Sequence, residues 1–298
     1  MYPAAFRYHR ASSLEEAVTM LSELGEEARL LAGGQSLIPL MKLRLARPSD
    51  LVDLSFAPGL SYIRKEGRQI CFGAMTRHAE IETSDAASHL PILHDCAAGI
   101  ADVQVRNRGT IGGSLAEADP SGDWGPVLLT HPAEVRCVGP NGTRTIPLNE
   151  FFRDAYTSAL APGELIREIA VHMLPHPTGG AYLAVKRCAQ VYATASVAVR
   201  LTLGDKDTCR EAGIALGCVG LTPIKAVAAE KALAGQKLTK KTIEAAEEAA
   251  MAAADPQPDM RGSAEYKRAV IGALVKRAIE IARRRAGGER VEVSHYYA

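Results

Sequence analysis

The sequence predicts an α+β protein in two unequal parts, two small α/β subdomains followed by a small antiparallel sheet carrying a helical bundle. Three observations predict it. Strand-like and helix-like patterns alternate over the first ~170 residues and are twice interrupted by glycine-rich turns. A stretch with two prolines and two glycines, His172 to Gly180, then breaks the chain. Beyond it, three apolar strand-like runs precede three helical ones. The boundaries read as 1–176, subdivided at about residue 55, and 177–298. A length of 298 residues suits two domains better than one core.

The first unit opens with Ser13-Leu14-Glu15-Glu16, a capping-box pattern, and Leu14, Ala17, Val18, Leu21 and Leu24 recur at helical spacing up to Gly25. Ala28 to Ala32 is a short apolar strand running into Gly33-Gly34-Gln35-Ser36. Leu37 to Arg44 reads as a helix with Pro39 in its first turn, and Leu51 to Leu54 as a second strand. Residues 60–73 read as a hairpin turning at Glu66-Gly67. Thr76 is placed to cap a helix holding His78 and Ile81, and Ile92 to Ala98 reads as another helix. Trp124 to Leu129 is helix-like, and Glu134 to Val138 is a strand before a Pro140-Asn141-Gly142 turn. In the second part, residues 181–187, 195–203 and 212–219 read as three strands, and 224–234, 242–253 and 264–285 as helices.

Composition excludes several function classes. Lys plus Arg number 35 against 34 for Asp plus Glu, a net charge of +1, which lacks the basic excess of a nucleic-acid binder. The triplet Arg283-Arg284-Arg285 ends a helical pattern and reads as a solvated helix end, with a partner or anion contact as the alternative. Six scattered cysteines contain no CxxC pair, so no metal or iron–sulfur site is expected in this chain. No run approaches a membrane span, and the start carries no signal-peptide core, so the expected location is cytoplasmic.

Two segments carry the chemistry. Ala32-Gly33-Gly34-Gln35-Ser36 joins a strand to a helix, where adjacent glycines let backbone amides approach a phosphate; a plain tight turn is the alternative. In Arg108-Gly109-Thr110-Ile111-Gly112-Gly113-Ser114, three glycines cluster beside two hydroxyls and form a second anion-cradling loop. Asp123 follows nine residues after Ser114, either as a ligand for a ribitol or ribose hydroxyl or as the cap of the Trp124 helix. Two cradles suit a ligand with two phosphates and a long body. No Gly-x-Gly occurs, which argues against a Rossmann nicotinamide site. No histidine pair suits a metal, His78, His89 and His94 read as surface or packing residues, and no G-x-S-x-G is present. No catalytic residue is evident, as expected where a cofactor carries the chemistry.

The pair AGGQSLIPLMKLRLARP and VRNRGTIGGSLAEADPSGD resembles the medium, flavin-binding subunit of the xanthine dehydrogenase and carbon monoxide dehydrogenase (molybdenum hydroxylase) family, and the resemblance extends over nearly the whole chain. It implies an FAD-binding domain of the vanillyl-alcohol oxidase (PCMH) type, two α/β subdomains with FAD between them, and a carboxy-terminal domain of the carbon monoxide dehydrogenase flavoprotein type. By the same resemblance, Ala32, Gly33, Gly34, Gln35, Ser36 and Leu37 surround the pyrophosphate, and Thr110, Ile111, Gly112, Gly113 and Ser114 form its second cradle. Asp123 holds a polar part of FAD. Ile100 and Ile166 match apolar contacts, or are simply core. Lys186 matches a lysine near the isoalloxazine, or is a strand-edge charge. Tyr192 matches an aromatic residue beside the ring, or is interdomain packing; Gln190-Val191 stands where the family often has Gly-Asp, so the local turn differs. Ser114 stands where many members have Asn, and keeps a donor. The implied partners are a small subunit with two [2Fe–2S] clusters and a large subunit with the molybdenum cofactor, in a dimer of heterotrimers. Electrons pass from molybdenum through the clusters to FAD and on to an external acceptor. The rival reading is a stand-alone FAD-dependent oxidoreductase of the vanillyl-alcohol oxidase type, although no histidine in either glycine motif offers a covalent flavin link. The substrate is not legible, because its pocket belongs to another chain.

Overall fold

The computed structural model describes residues 2–293 and the strand Tyr296–Tyr297. The chain begins with β1 (Arg7–Arg10), α1 (Leu14–Leu24), β2 (Ala28–Leu31), α2 (Leu37–Lys42) and β3 (Asp50–Asp53). The three strands form a parallel sheet in the order β1-β3-β2. Ser13 caps α1 by accepting from the Glu16 amide, but Glu16 returns its bond to Ser12 rather than Ser13. Gly25 ends the helix at φ +76. Strand β1 carries no apolar alternation and escapes sequence reading. It is held by the fully buried Asp50, which takes two bonds of 2.8 Å from Arg7 and one of 2.7 Å from His9. Arg7, Ser49 and His9 together hold the Asp50 carboxyl well below the usual carboxylate range.

The middle section runs β4 (Ile63–Glu66), β5 (Gln69–Gly73), α3 (His78–Glu82), α4 (Asp85–His89), α5 (Pro91–Gly99), α6 (Val103–Arg106), α7 (Ile111–Glu117), α8 (Trp124–Leu129), β6 (Ala133–Gly139), β7 (Gly142–Pro147), β8 (Phe152–Asp154), β9 (Thr157–Ser158) and β10 (Leu165–His172). Its sheet is antiparallel in the order β4-β5-β10-β6-β7. The expected hairpin forms three residues further along at its first strand. Thr76 does not cap α3. Its hydroxyl accepts from the Tyr62 amide and donates to the Tyr62 carbonyl, while Arg77 occupies the cap position.

The last section holds β11 (Thr178–Lys186), β12 (Ala195–Leu203), β13 (Cys209–Gly217), β14 (Ile224–Lys225), α9 (Val227–Leu233), α10 (Lys240–Ala253), α11 (Ala264–Ala286) and β15 (Tyr296–Tyr297). The three expected strands form the sheet's centre, and β14 and β15 add an edge on each side, in the order β14-β13-β12-β11-β15. The first helix begins later than its apolar pattern suggests, because Ile224 and Lys225 pair with Leu216 and Ala215 instead.

Alternation along these strands divides two cores. Tyr182, Ala184, Ala198 and Ala215 face the middle section's core with Trp124, Leu93 and Phe72. Leu183, Val197, Val199, Ile214 and Leu216 face the opposite way, onto α9, α10 and α11. The sheet is therefore buried on both faces, and every residue of β12 is buried.

One buried ion pair crosses this seam. Arg285, in the last turn of α11, reaches Asp95 on α5 through two bonds of 2.6 and 2.9 Å and donates to the carbonyls of Gly180 and Val291. Asp95 also accepts from the Tyr182 amide. The basic triplet is thus not a solvated end at its third residue, because the carboxylate it meets lies 190 positions away in sequence. Among the described residues no helix is long and apolar enough to cross a membrane. Replacing one partner of a buried pair strands the other charge, so Arg285→Met should lower unfolding free energy by about 3–5 kcal/mol, and Asp95→Leu/Arg285→Met by clearly less, as read by denaturant titration.

Candidate functional site

A cleft of ≈ 470 Å³ lies where the three sections meet. A cavity of this size falls within the usual range for cofactor sites. One wall is the turn after β2. There Gly33 lies so close to the second glycine loop that a Cβ would sit 2.3 Å from the Arg108 carbonyl oxygen and 2.7 Å from Gly109 Cα. Gly34 follows at φ +73, a conformation that side chains rarely adopt. Among the described residues, no protein acceptor serves the amides of Gly33, Gly34, Gln35 or Ser36. Ala32, Gly33, Gly34, Gln35, Ser36 and Leu37 all line the cleft. This wall is an array of unused N–H donors of the kind that binds phosphate oxygens.

The second loop works differently from the expectation. Its amides are already used: Ile111 donates to Thr76 O, Gly112 to Ala74 O, Gly113 to Thr110 Oγ1 and Ser114 to Thr110 O. What it offers the cleft is two hydroxyls, Thr110 and Ser114, and a surface without side chains at Gly112 and Gly113. Gly112 is fixed by packing, since a Cβ there would lie 2.6 Å from the Ala74 carbonyl oxygen. Ile111 does not reach the cleft; its side chain is fully buried in the middle core beside Leu115.

Asp123 lines the cleft and does not cap α8, because its side chain makes no bond to that helix's amides. Its Oδ1 accepts from the Tyr182 hydroxyl at 2.6 Å, and Lys186 Nζ stands 3.8 Å away. Its Oδ2 makes no hydrogen bond among the described residues. Lys186 is not an edge charge but a buried one on β11, donating to the Gly99 carbonyl at 2.5 Å. Ile100 and Ile166 are buried and also form cleft wall, so their two readings coincide. Arg106 holds the turn at Ile100 by donating to the carbonyls of Ile100 and Ala101 and pairing with Glu82. Tyr192, 46% exposed, lies on the mouth with Gln190 and Val191. Burial, then Asp119, raises its phenol pKa.

Several lining residues are not among those expected from the sequence. His78 is one; its Nδ1 accepts from the Trp124 indole at 3.1 Å. Glu117 and Asp119 are others, and burial raises the Glu117 carboxyl, with Asp119 adding to it. Ala74 and Met75 come from the turn after β5, and Glu164 and Leu165 from the approach to β10. Nothing local in the sequence marks Ala74, Met75, Glu164 or Leu165, which sheet pairing brings to the cleft, whereas Glu117 and Asp119 follow the second glycine loop directly. Among the described residues, no group of three or more His, Cys, Asp or Glu is placed to hold a metal ion.

Residues 4–174 match the family model described as the FAD binding domain in molybdopterin dehydrogenase. The chain belongs to that family. Residues 180–282 match the carbon monoxide dehydrogenase flavoprotein C-terminal domain. Subunit alpha of the 6-hydroxypseudooxynicotine dehydrogenase complex of Paenarthrobacter nicotinovorans is 42% identical over 99% of this chain and 100% of its own. The carbon monoxide dehydrogenase medium chain of Afipia carboxidovorans is 43% identical over 96% of this chain and 99% of its own. A solved carbon monoxide dehydrogenase from Hydrogenophaga pseudoflava superposes with a TM-score of 0.93 at 43% identity, covering 96% of this chain and 99% of that one. The FAD that names the family fits the cleft: four unused amides on its wall suit a pyrophosphate.

The two loops set a ranking of glycine substitutions. Gly33→Ala drives a methyl into backbone, whereas the tight contact of Gly113→Ala is with a side-chain atom, the Thr110 hydroxyl at 2.8 Å. Purified Gly33→Ala should retain far less FAD than Gly113→Ala by flavin absorbance, with far-UV circular dichroism near wild type in both.

Two buried imidazoles set a pH dependence. Burial holds His78 down to about 4, with Arg106 adding to it, and His131 down to about 3, with Arg200 adding to it, both from the ordinary 6.5. Each folded-state pKa is lowered, so the unfolded chain takes up protons first and stability falls as pH drops from 6.5 toward 4. The slope from each is at most about 1.4 kcal/mol per pH unit. Calorimetry between pH 7 and 4.5 should show a falling Tm, with a shallower fall in His131→Gln.

Proposed function

We propose that this chain is the FAD-binding, electron-transferring subunit of a molybdenum-containing hydroxylase or dehydrogenase. The observation that carries the reading is a cleft with unused backbone donors on one wall, in a chain similar from end to end to medium and alpha subunits of such dehydrogenases. FAD supplies the redox chemistry, taking electrons from iron–sulfur clusters and passing them to an external acceptor.

The chain's own residues bind and orient. The Gly33–Ser36 amides hold pyrophosphate oxygens, with Ala32 and Leu37 framing that turn. Thr110 and Ser114 donate hydroxyls from the opposite wall, where Gly112 and Gly113 admit close approach. Asp123 Oδ2 accepts from a hydroxyl of the cofactor's polar chain, while Tyr182 and Lys186 fix its other oxygen. Ile100 and Ile166 exclude water, and Tyr192 covers the mouth.

The partners are a small subunit with [2Fe–2S] clusters and a large subunit with the molybdenum cofactor, assembled as a dimer of heterotrimers in the cytoplasm. Substrate oxidation belongs to the large subunit. The test is the absorbance spectrum of the protein purified from its host, with co-purifying chains identified by mass. Flavin bands overlaid by iron–sulfur absorbance and two partner chains are expected. A lone yellow chain that oxidises a substrate by itself would overturn the reading.

A further inference from the structure

Resting on the FAD reading above, we infer that His78 is a cofactor-binding residue, donating a hydrogen bond from Nε2–H to an acceptor atom of bound FAD. Among the described residues, the His78 side chain makes one hydrogen bond. An indole N–H donates and never accepts, so the 3.1 Å contact from Trp124 Nε1 makes His78 Nδ1 an acceptor. In a neutral ring the single proton then sits on Nε2. The ring is neutral because burial and Arg106 depress its protonation, and the side chain is only 5% exposed. Trp124 is itself fully buried in the middle core, so it cannot turn away and release the tautomer.

That leaves one proton without a partner. Among the described residues no group accepts from Nε2, yet His78 borders the cleft. Ser196 Oγ is the fully buried unpartnered side-chain atom among the described residues, so Nε2 instead meets the open cleft, where a donor fixed in this way is placed for a ligand acceptor. Gly109 keeps the route open. A Cβ at Gly109 would lie 2.7 Å from Nε2 and 2.8 Å from Cδ2, so any side chain there would cover the ring edge. Gly109 is the residue whose Cα also meets the Gly33 turn. His78, Gly109 and Gly33 thus form consecutive layers at the place where the two glycine loops touch. A neutral donor there adds a bond without adding charge beside the lining carboxylates of Glu117, Asp119 and Asp123.

The test is titration of the purified full-length apo chain with FAD. His78→Leu removes the donor, and His78→Gln keeps an N–H at similar reach. The expected result is about tenfold weaker FAD binding for His78→Leu and wild-type binding within about threefold for His78→Gln. Equal affinities across all three proteins, or equal loss in both variants, would overturn the proposal, because packing against Trp124 would then be the whole role. A second measurement needs no stable variant. In the ¹⁵N-histidine-labelled wild type, the His78 Nε2–H signal should shift downfield and exchange more slowly with solvent once FAD is added; an unmoved signal in a chain that has bound FAD overturns the proposal. A wild-type chain that binds no FAD at all would instead sink the functional reading on which it rests.

Discussion

The cleft depends on one close approach of backbone to backbone. Gly33 lies against Arg108 and Gly109 at a distance no Cβ would permit, and that contact brings two loops from different sheets into one site. A glycine is required there for room and not for its dihedral freedom, which is the role of Gly34 one position later. From this contact follow the unused amides on one side and the side-chain-free surface on the other. The second loop has given two of its amides to the turn after β5 and two to its own Thr110, and this anchors it firmly enough for the first loop to rest on it. Similar glycine patterns thus do opposite work, one presenting donors and the other spending them.

The electrostatics follow a matching division. Charged groups at the cleft are mostly tied to protein partners: Asp123 to Tyr182 and Lys186, Lys186 to Gly99, and Glu164 to Arg144. Besides the Arg29 guanidinium at the cleft, the donors left free are neutral amides, hydroxyls and an imidazole. Charge that is already compensated holds its geometry, while neutral donors remain for a ligand that brings its own negative charge.

Much of this was legible in the sequence where the signal is local. Both glycine segments, the break before β11, the three central strands and the long helices follow from periodicity and turn residues. Of the site residues named from sequence, all but Ile111 line the cleft. Ile111 is the exception because, at the start of α7, its side chain turns into the core. What escaped reading is long-range. Strand β1 exists because Asp50 collects Arg7 and His9, more than forty residues earlier, and His78 reaches the cleft only through the pairing that places α3 beside Gly109. Arg285 read as solvent-facing because its carboxylate sits 190 positions earlier in the chain. The departure at Gln190-Val191 leaves Tyr192 on the mouth all the same.

Strand β11 carries a consequence for how such proteins diverge. Within nine residues it supplies Lys186 to the cleft, the Tyr182 hydroxyl to Asp123, an amide to Asp95 and a carbonyl to Arg285, although it lies in the second half of the chain. The two halves are thus not exchangeable parts. A hybrid joining the first half of one relative to the second half of another would inherit a half-built cofactor wall and an unmatched buried carboxylate unless both sides of the seam had co-varied. Selection must act on the pair as a single heritable unit, with substitutions at Asp95, Asp123, Tyr182, Lys186 and Arg285 constrained together across the junction.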